Sequence, residues 1–225
     1  MGGESTGPQP RKNLTPVNQL TPGRCHDAGV RLPFTPDLPI HTPRLELRAF
    51  EPDDRESLLA IHSDPVAVRY VPYPPRDEAA LEPVLQRKMG NTGLTGDGDL
   101  LELAVTVRES GILIGDLLTA LKSVEHETVE IGYIFGGAHS GRGFATESVR
   151  ALLDLAFGMI GARRVVARVD DRNVRSLALL DRLGLRPEAH LIENEWFKGE
   201  LSSEVDLAIL AREWRDRRGG GLAAE

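Results

Sequence analysis

EIGYIFGGAHSGRGFATESVRALLDLAF, residues 130–157, runs an apolar strand into a glycine-broken loop and then into a long helix. Thr128 to Phe135 reads as the strand. Val149, Leu152, Leu153, Ala156, Phe157 and Ile160 share one stripe, so the spacing predicts a helix from Ala145 to Ile160, stopped by Gly161. Gly141-Arg142-Gly143 stands at its start. A helix N-terminus carries unpaired N–H groups and the positive end of the dipole, and glycines there let a phosphate approach the backbone. Arg142 adds a cation. Taken alone, the turn is equally well a tight loop.

The flanking sequence sets the fold class. Toward the C-terminus, residues 162–170 read as a strand and Val174 to Leu183 as a helix ended by Gly184. Two last strands are expected at 185–199 and 204–210. Toward the N-terminus, residues 100–108 and 112–121 read as a hairpin closed by Glu109-Ser110-Gly111, with 91–99 a loop. A first strand is expected at 44–49. Pro52, Asp53 and Asp54 open a helix reaching about His62. A second helix is expected near 77–89, with Pro83 delaying or kinking it. Antiparallel strands, then strand–helix–strand–helix, then strands make an α+β sheet with one parallel crossover in its middle.

The ends differ in composition. Seven of the 15 prolines lie in residues 1–39, without apolar periodicity. We read 1–39 as a disordered, proline-rich extension whose last part lies against the domain, 40–215 as the domain, and 216–225 as a flexible tail. The net charge of −7 argues against nucleic acid as the partner. One cysteine, Cys25, excludes an internal disulfide and a cysteine-rich zinc site, and the dispersed histidines form no HExxH pair, so no metal is expected. No apolar run spans a bilayer and the first residues lack a signal-peptide core, so no membrane partner and a cytoplasmic location are expected.

Three phosphate ligands compete for the turn. A nucleotide loop of the Gly-Lys-Ser/Thr type is absent. A dinucleotide fingerprint needs glycine at 146, where Thr146 stands; Asp170 would suit its ribose, but the preceding antiparallel meander does not suit its sheet. The third is the diphosphate of coenzyme A. Residues 130–157 resemble the acyl-CoA motif of the GNAT superfamily of N-acyltransferases, particularly its RimJ/RimL-like branch. TPRLELRAFEPDD at 42–54 is similar to that branch's opening. RVDDRNVRSLALLDRLGLRPEAHLIENEWFKGE at 168–200 is similar to its closing half, and LAREW at 210–214 to its last segment.

The resemblance implies a GNAT-like mixed, mostly antiparallel central sheet, splayed around an acyl-CoA site and flanked by helices. It implies acetyl-CoA as co-substrate, its pantetheine arm on strand backbone near Ile134, Phe135 and Gly136. Its diphosphate would rest on the amides of Gly141, Arg142, Gly143, Ala145 and Thr146. Asn173 would cap its helix or bond the arm. Ser176 would protonate the leaving thiolate or serve as an ordinary capping residue. Glu195 and Glu130 are the candidate bases, each otherwise a solvated strand carboxylate. His139 is read as a solvated loop residue beside the turn.

The expected reaction is direct attack of a primary amine within a ternary complex. Neutralising an α-amine of pKa about 7.7–8 at pH 7 costs roughly 1.4 kcal/mol, against about 4–5 for a lysine near 10.4. The expected acceptor is a protein N-terminal α-amine. A small-molecule amine such as an aminoglycoside or polyamine, or another acyl group, stays open, as does a homodimer. Leu185, Leu201, Ser202 and Ser203 depart from the branch pattern and bear on the acceptor. A non-catalytic CoA-binding module is the rival class, and a nicotinamide-binding protein a third.

Overall fold

The computed structural model describes residues 29–220; residues 1–28 of the expected extension, with Cys25 and His26, and residues 221–225 of the expected tail lie outside the described residues. The strands are β1 (Ile40–His41), β2 (Leu45–Arg48), β3 (Leu100–Val107), β4 (Leu113–Ser123), β5 (Thr128–Phe135), β6 (Arg164–Asp170), β7 (Arg186–Phe197) and β8 (Glu200–Leu210). The helices are α1 (Arg55–His62), α2 (Glu78–Gly90), α3 (Phe144–Asp154), α4 (Val174–Leu183) and α5 (Ala211–Gly220). All eight strands join one sheet in the order β1-β2-β3-β4-β5-β6-β8-β7, an α+β fold.

Every neighbouring pair is antiparallel except β5 and β6. That parallel ladder covers only Thr128↔Arg164, Val129↔Val165 and Glu130↔Val166. Beyond Glu130 the two strands part, although β5 continues to Phe135 and β6 to Asp170. The α3 crossover that joins them is the connection a parallel pair requires.

Alternation along the strands sorts the side chains into two layers. One face of the sheet, with Leu47, Leu103, Leu117, Val129, Ile131 and Val165, buries the stripe of α3, Leu179, Leu180 and Leu183 of α4, and Trp214 of α5. The other, with Ala104, Leu113 and Ile134, buries Leu58 and Ile61 of α1 and Leu81 and Leu85 of α2. Phe34 bridges to Leu94 and is buried, while Val30, Leu32 and Leu38 lean on the first core, so residues 29–39 lie against the domain.

Three details depart from the spacing argument. Helix α2 starts at Glu78, undelayed by Pro83, because the Asp77 carboxylate accepts from Ala80 N at 2.8 Å and fixes the start. Residues Leu155–Ile160 continue α3 as a π-helical turn before Gly161. Strand β8 begins at Glu200 rather than 204, paired to β7 across a two-residue turn whose Lys198 and Gly199 have φ of 52° and 89°.

Candidate active site

The glycine turn leaves β5 through Gly136 and a short 3-10 turn, Gly137–His139. Gly141 and Gly143 have φ of 76° and 80°, left-handed values that favour glycine. Among the described residues, no acceptor serves the backbone amides of Gly141, Arg142, Gly143, Phe144, Ala145 or Thr146. The Arg142 guanidinium lies 4.9 Å from the centre of the Phe144 ring, at the head of α3. The Nδ1 atom of His139 is buried there without a hydrogen-bond partner. Free amides, a cation and an orphan imidazole nitrogen at one helix N-terminus fit a diphosphate. On the strand side, the amide of Gly136 already donates to Ile114 O at 3.0 Å. The β5 edge beyond Glu130 has no strand across from it, which leaves main-chain groups for an amide-bearing arm.

Helix α4 starts on the far side of that gap. Asn173 Oδ1 accepts from Ser176 N at 3.2 Å, so Asn173 is the cap. The Ser176 hydroxyl instead meets the Tyr133 hydroxyl of β5 at 2.6 Å. Burial pushes the Tyr133 phenol up to about 12 against the opposing pull of Ser176 and Arg182. Tyr133 was not among the sequence candidates. Its signal was the strand alternation, which turns it toward α4 with Val129 and Ile131.

Glu130 sits at the last rung of the parallel ladder. Its carboxylate is 3.1 Å from Lys122 Nζ and 3.1 Å from Arg168 Nε. Arg168 also faces Glu204 at 3.9 Å. Burial raises the Glu204 pKa; Arg168 opposes this, and Asp206, Glu195 and Glu130 reinforce it. Asp206 Oδ1 is buried without a partner among the described residues. Glu195 lies on β7 opposite Ser202 and is exposed. Glu130, Glu204 and Asp206 therefore gather around Arg168 where the strands part, with Glu195 within electrostatic reach. The sequence named Glu130 and Glu195 but missed Glu204 and Asp206, whose i, i+2 spacing on β8 was the available clue.

Trp196 is 75% exposed, so it does not fill the core; Phe197 ends β7 partly buried, with Lys198 Nζ 5.3 Å from its ring centre. Among the described residues, no group of three or more His, Cys, Asp or Glu is placed to hold a metal ion, and no helix is long and apolar enough to cross a membrane. A surface cavity of about 430 Å³ lies beside α3, lined by Ile40, Arg150, Asp154 and Met159, and includes none of the candidate residues.

Residues 44–186 match the family model described as an acetyltransferase (GNAT) domain. The uncharacterized N-acetyltransferase p20 of Bacillus licheniformis is 30% identical over 175 residues, covering 78% of this chain and 97% of that protein. A GNAT-family acetyltransferase from Bacillus anthracis superposes with a TM-score of 0.70 at 26% identity, covering 78% of this chain and all of that one. Spermidine N-acetyltransferase from Vibrio cholerae, solved with CoA and spermine, shares the fold with a TM-score of 0.67 at 20% identity, over 77% of this chain and 99% of that one. The split sheet, the unpaired amides at the head of α3 and these likenesses agree: the chain belongs to the GNAT acetyltransferase family and is an acyl-CoA-dependent N-acetyltransferase.

Proposed function

We propose that the protein transfers acetyl from acetyl-CoA to a primary amine by direct attack in a ternary complex, with a protein N-terminal α-amine as acceptor. The observation that carries the chemistry is the parting of β5 and β6, with free amides at one end and the Tyr133–Ser176 pair at its wall. Acetyl-CoA supplies the acetyl group as a thioester. The amides of Gly141, Arg142, Gly143, Ala145 and Thr146 hold the diphosphate, with the Arg142 side chain beside them. The free β5 edge around Ile134 and Phe135 aligns the arm, with Gly136 at its end and Asn173 across the gap. Ser176 keeps a proton at Oγ for the departing sulfur. Either Glu195 or Glu130 takes the proton of the attacking amine, with Glu204, its pKa raised by burial, beside Arg168 at the same split.

The α-amine reading rests on the RimJ/RimL-like resemblance of four segments and on the smaller cost of deprotonating an α-amine than a lysine. The carboxylates around Arg168 favour a second reading, a polyamine, since they suit an acceptor with several positive charges. That reading draws support from the spermidine N(1)-acetyltransferase of Vibrio cholerae, 25% identical over 41% of this chain and 53% of that protein.

The test is an acceptor screen with acetyl-CoA and free-thiol detection, covering peptides of varied first residue, spermidine, spermine and aminoglycosides. Turnover of peptides with free but not blocked N-termini supports the first reading. Turnover of polyamines alone replaces it with the second. In the same assay, Glu195→Gln and Glu130→Gln, made separately, lower kcat about 100-fold where the residue is the base, within the range of general-base contributions.

A further inference from the structure

The segment Thr42–Leu45 makes more side-chain bonds than a short strand entry requires. Thr42 Oγ1 donates to Glu147 Oε1 at 2.6 Å, and the Arg44 backbone amide donates to the same oxygen at 2.9 Å. Arg44 Nε and Nη2 reach Glu147 Oε2 at 2.7 and 2.6 Å. Arg44 Nη1 then donates to the carbonyl of Arg142 at 2.9 Å, inside the glycine turn. The Arg44 guanidinium also covers the Phe144 ring at 4.6 Å, with that of Arg142 at 4.9 Å.

We propose that Arg44 is a coenzyme-positioning residue that sets the diphosphate turn from outside the glycine motif. Resting on the coenzyme reading above, this assigns a role to a residue of the TPRLELR segment far from the turn in sequence. The carbonyl of Arg142 and the amide of Gly143 belong to one planar trans peptide and point in opposite directions. Fixing that carbonyl on Arg44 therefore turns the Gly143 amide away from the Arg44 guanidinium, free for an anion. Glycines at 141 and 143 make the turn easy to deform, so an outside clamp has something to do. Arg44 also neutralises Glu147, a carboxylate in the first turns of α3 that would otherwise repel a bound diphosphate. Burial works against ionisation of Glu147, but hydrogen bonds from Thr42 and Arg44 hold its pKa below the usual carboxylate value.

The experiment compares wild type, Arg44→Gln and Arg44→Lys by calorimetric titration with CoA. Steady-state kinetics follow with acetyl-CoA and with S-acetyl-N-acetylcysteamine, a thioester donor lacking the diphosphate. Arg44→Gln should weaken CoA binding at least about tenfold, the loss expected for a charge-assisted hydrogen bond. KM for acetyl-CoA should rise in step while kcat holds, and kcat/KM for the diphosphate-free donor should match wild type. Hydrogen exchange in the protein without CoA should quicken at 141–147 and stay unchanged in β3 and β4. Arg44→Lys, which keeps the charge at Glu147 but not the full set of bonds, should fall between the two; it carries the titration should Arg44→Gln not fold. Wild-type affinity for CoA in the variants overturns the proposal. So does an equal loss with both donors, which would mark a general structural lesion. A wild type that gives no heat with CoA overturns the coenzyme reading, and the proposal with it.

Discussion

Ser176 has its backbone amide committed to the Asn173 cap and its hydroxyl committed to Tyr133. Either hydroxyl can donate in this pair; with its phenol pushed up to about 12, Tyr133 keeps its proton at neutral pH and is available as the donor. In the arrangement where Tyr133 donates, the Ser176 proton is directed elsewhere, and the gap between β5 and β6 is where a leaving sulfur would meet it. Tyr133→Phe should lower kcat about tenfold with little change in KM, a modest fraction of a general-acid contribution. Ser176→Ala should cost more, and the double variant should cost no more than Ser176→Ala alone, because the pair acts as one unit. Free-thiol release under saturating acetyl-CoA measures all three; additive losses would show that the two hydroxyls work independently. The Asn173 cap was legible because a cap is a local pattern. Tyr133 was not, because its partner lies 43 residues away and only the sheet brings β5 beside α4. Arg44 was hidden for the same reason: strand alternation announces Leu45 and Leu47 but says nothing of an arginine that reaches α3.

Helix α2 is fastened to the sheet by charge as well as by Leu81 and Leu85. Lys88 Nζ, buried, lies 2.7 Å from Glu102 on β3 and 2.9 Å from Asp116 on β4. Asp116 also bonds His62 Nε2 at 3.0 Å, and Arg76 reaches His62 Nδ1 at 2.8 Å. Burial alone would raise the Asp116 pKa, yet Lys88 and His62 hold it below the usual value. Lys88→Met leaves two buried carboxylates short of a cation and should cost about 3–5 kcal/mol in urea unfolding; a loss under 1 kcal/mol would mean water replaces the ammonium. On β4, a Cβ at Gly115 would come within 2.3 Å of the Phe135 ring and 2.9 Å of Ile134 O. Gly115→Ala should therefore destabilise by about 1–3 kcal/mol. It should also raise KM for acetyl-CoA, since Phe135 leads into the glycine turn. The strands and helices with regular apolar spacing, β3 to β6, α3 and α4, were readable for the reason that burial on one face writes a period into the sequence. The start of β8 was not. Ser202 and Ser203 look like loop residues, but the Ser202 hydroxyl bonds Asp170 at 2.8 Å and Ser203 Oγ accepts from Glu193 N at 3.0 Å. Nor does spacing reveal the buried ions, which read as a polar interruption until their partners on α1, β3 and β4 are in place.

Across the molecule, the excess of acid over base has a local expression where the sheet divides. Two carboxylates there are shifted in opposite directions, so folding stability reports each separately through pH. Arg172 first, then the Ser202 hydroxyl and the Arg172 amide, bring Asp170 down to about 2 despite partial burial. A depressed carboxylate stabilises the fold above its unfolded pKa, and that contribution disappears as pH falls through the folded value. Asp170→Asn should therefore lower Tm at pH 7, with the gap to wild type closing between about pH 4 and pH 2. Glu204 behaves in the reverse sense, its pKa raised by burial and by Asp206, Glu195 and Glu130 against Arg168. A raised carboxylate favours the fold while protonated, below its unfolded pKa, and that advantage is lost as pH rises through the folded value. At pH 7 its ionised form is a burden on the fold, so Glu204→Gln should raise Tm there. The gain should shrink toward zero below about pH 4, where the wild-type side chain is also neutral. Thermal unfolding of the three proteins from pH 3 to 8 separates the cases. A Glu204→Gln protein less stable than wild type at pH 7 would mean that Arg168 outweighs the surrounding acids. A stabilised variant that also turns over amines more slowly would show that the carboxylate is kept at the split for its chemistry, at the expense of the fold.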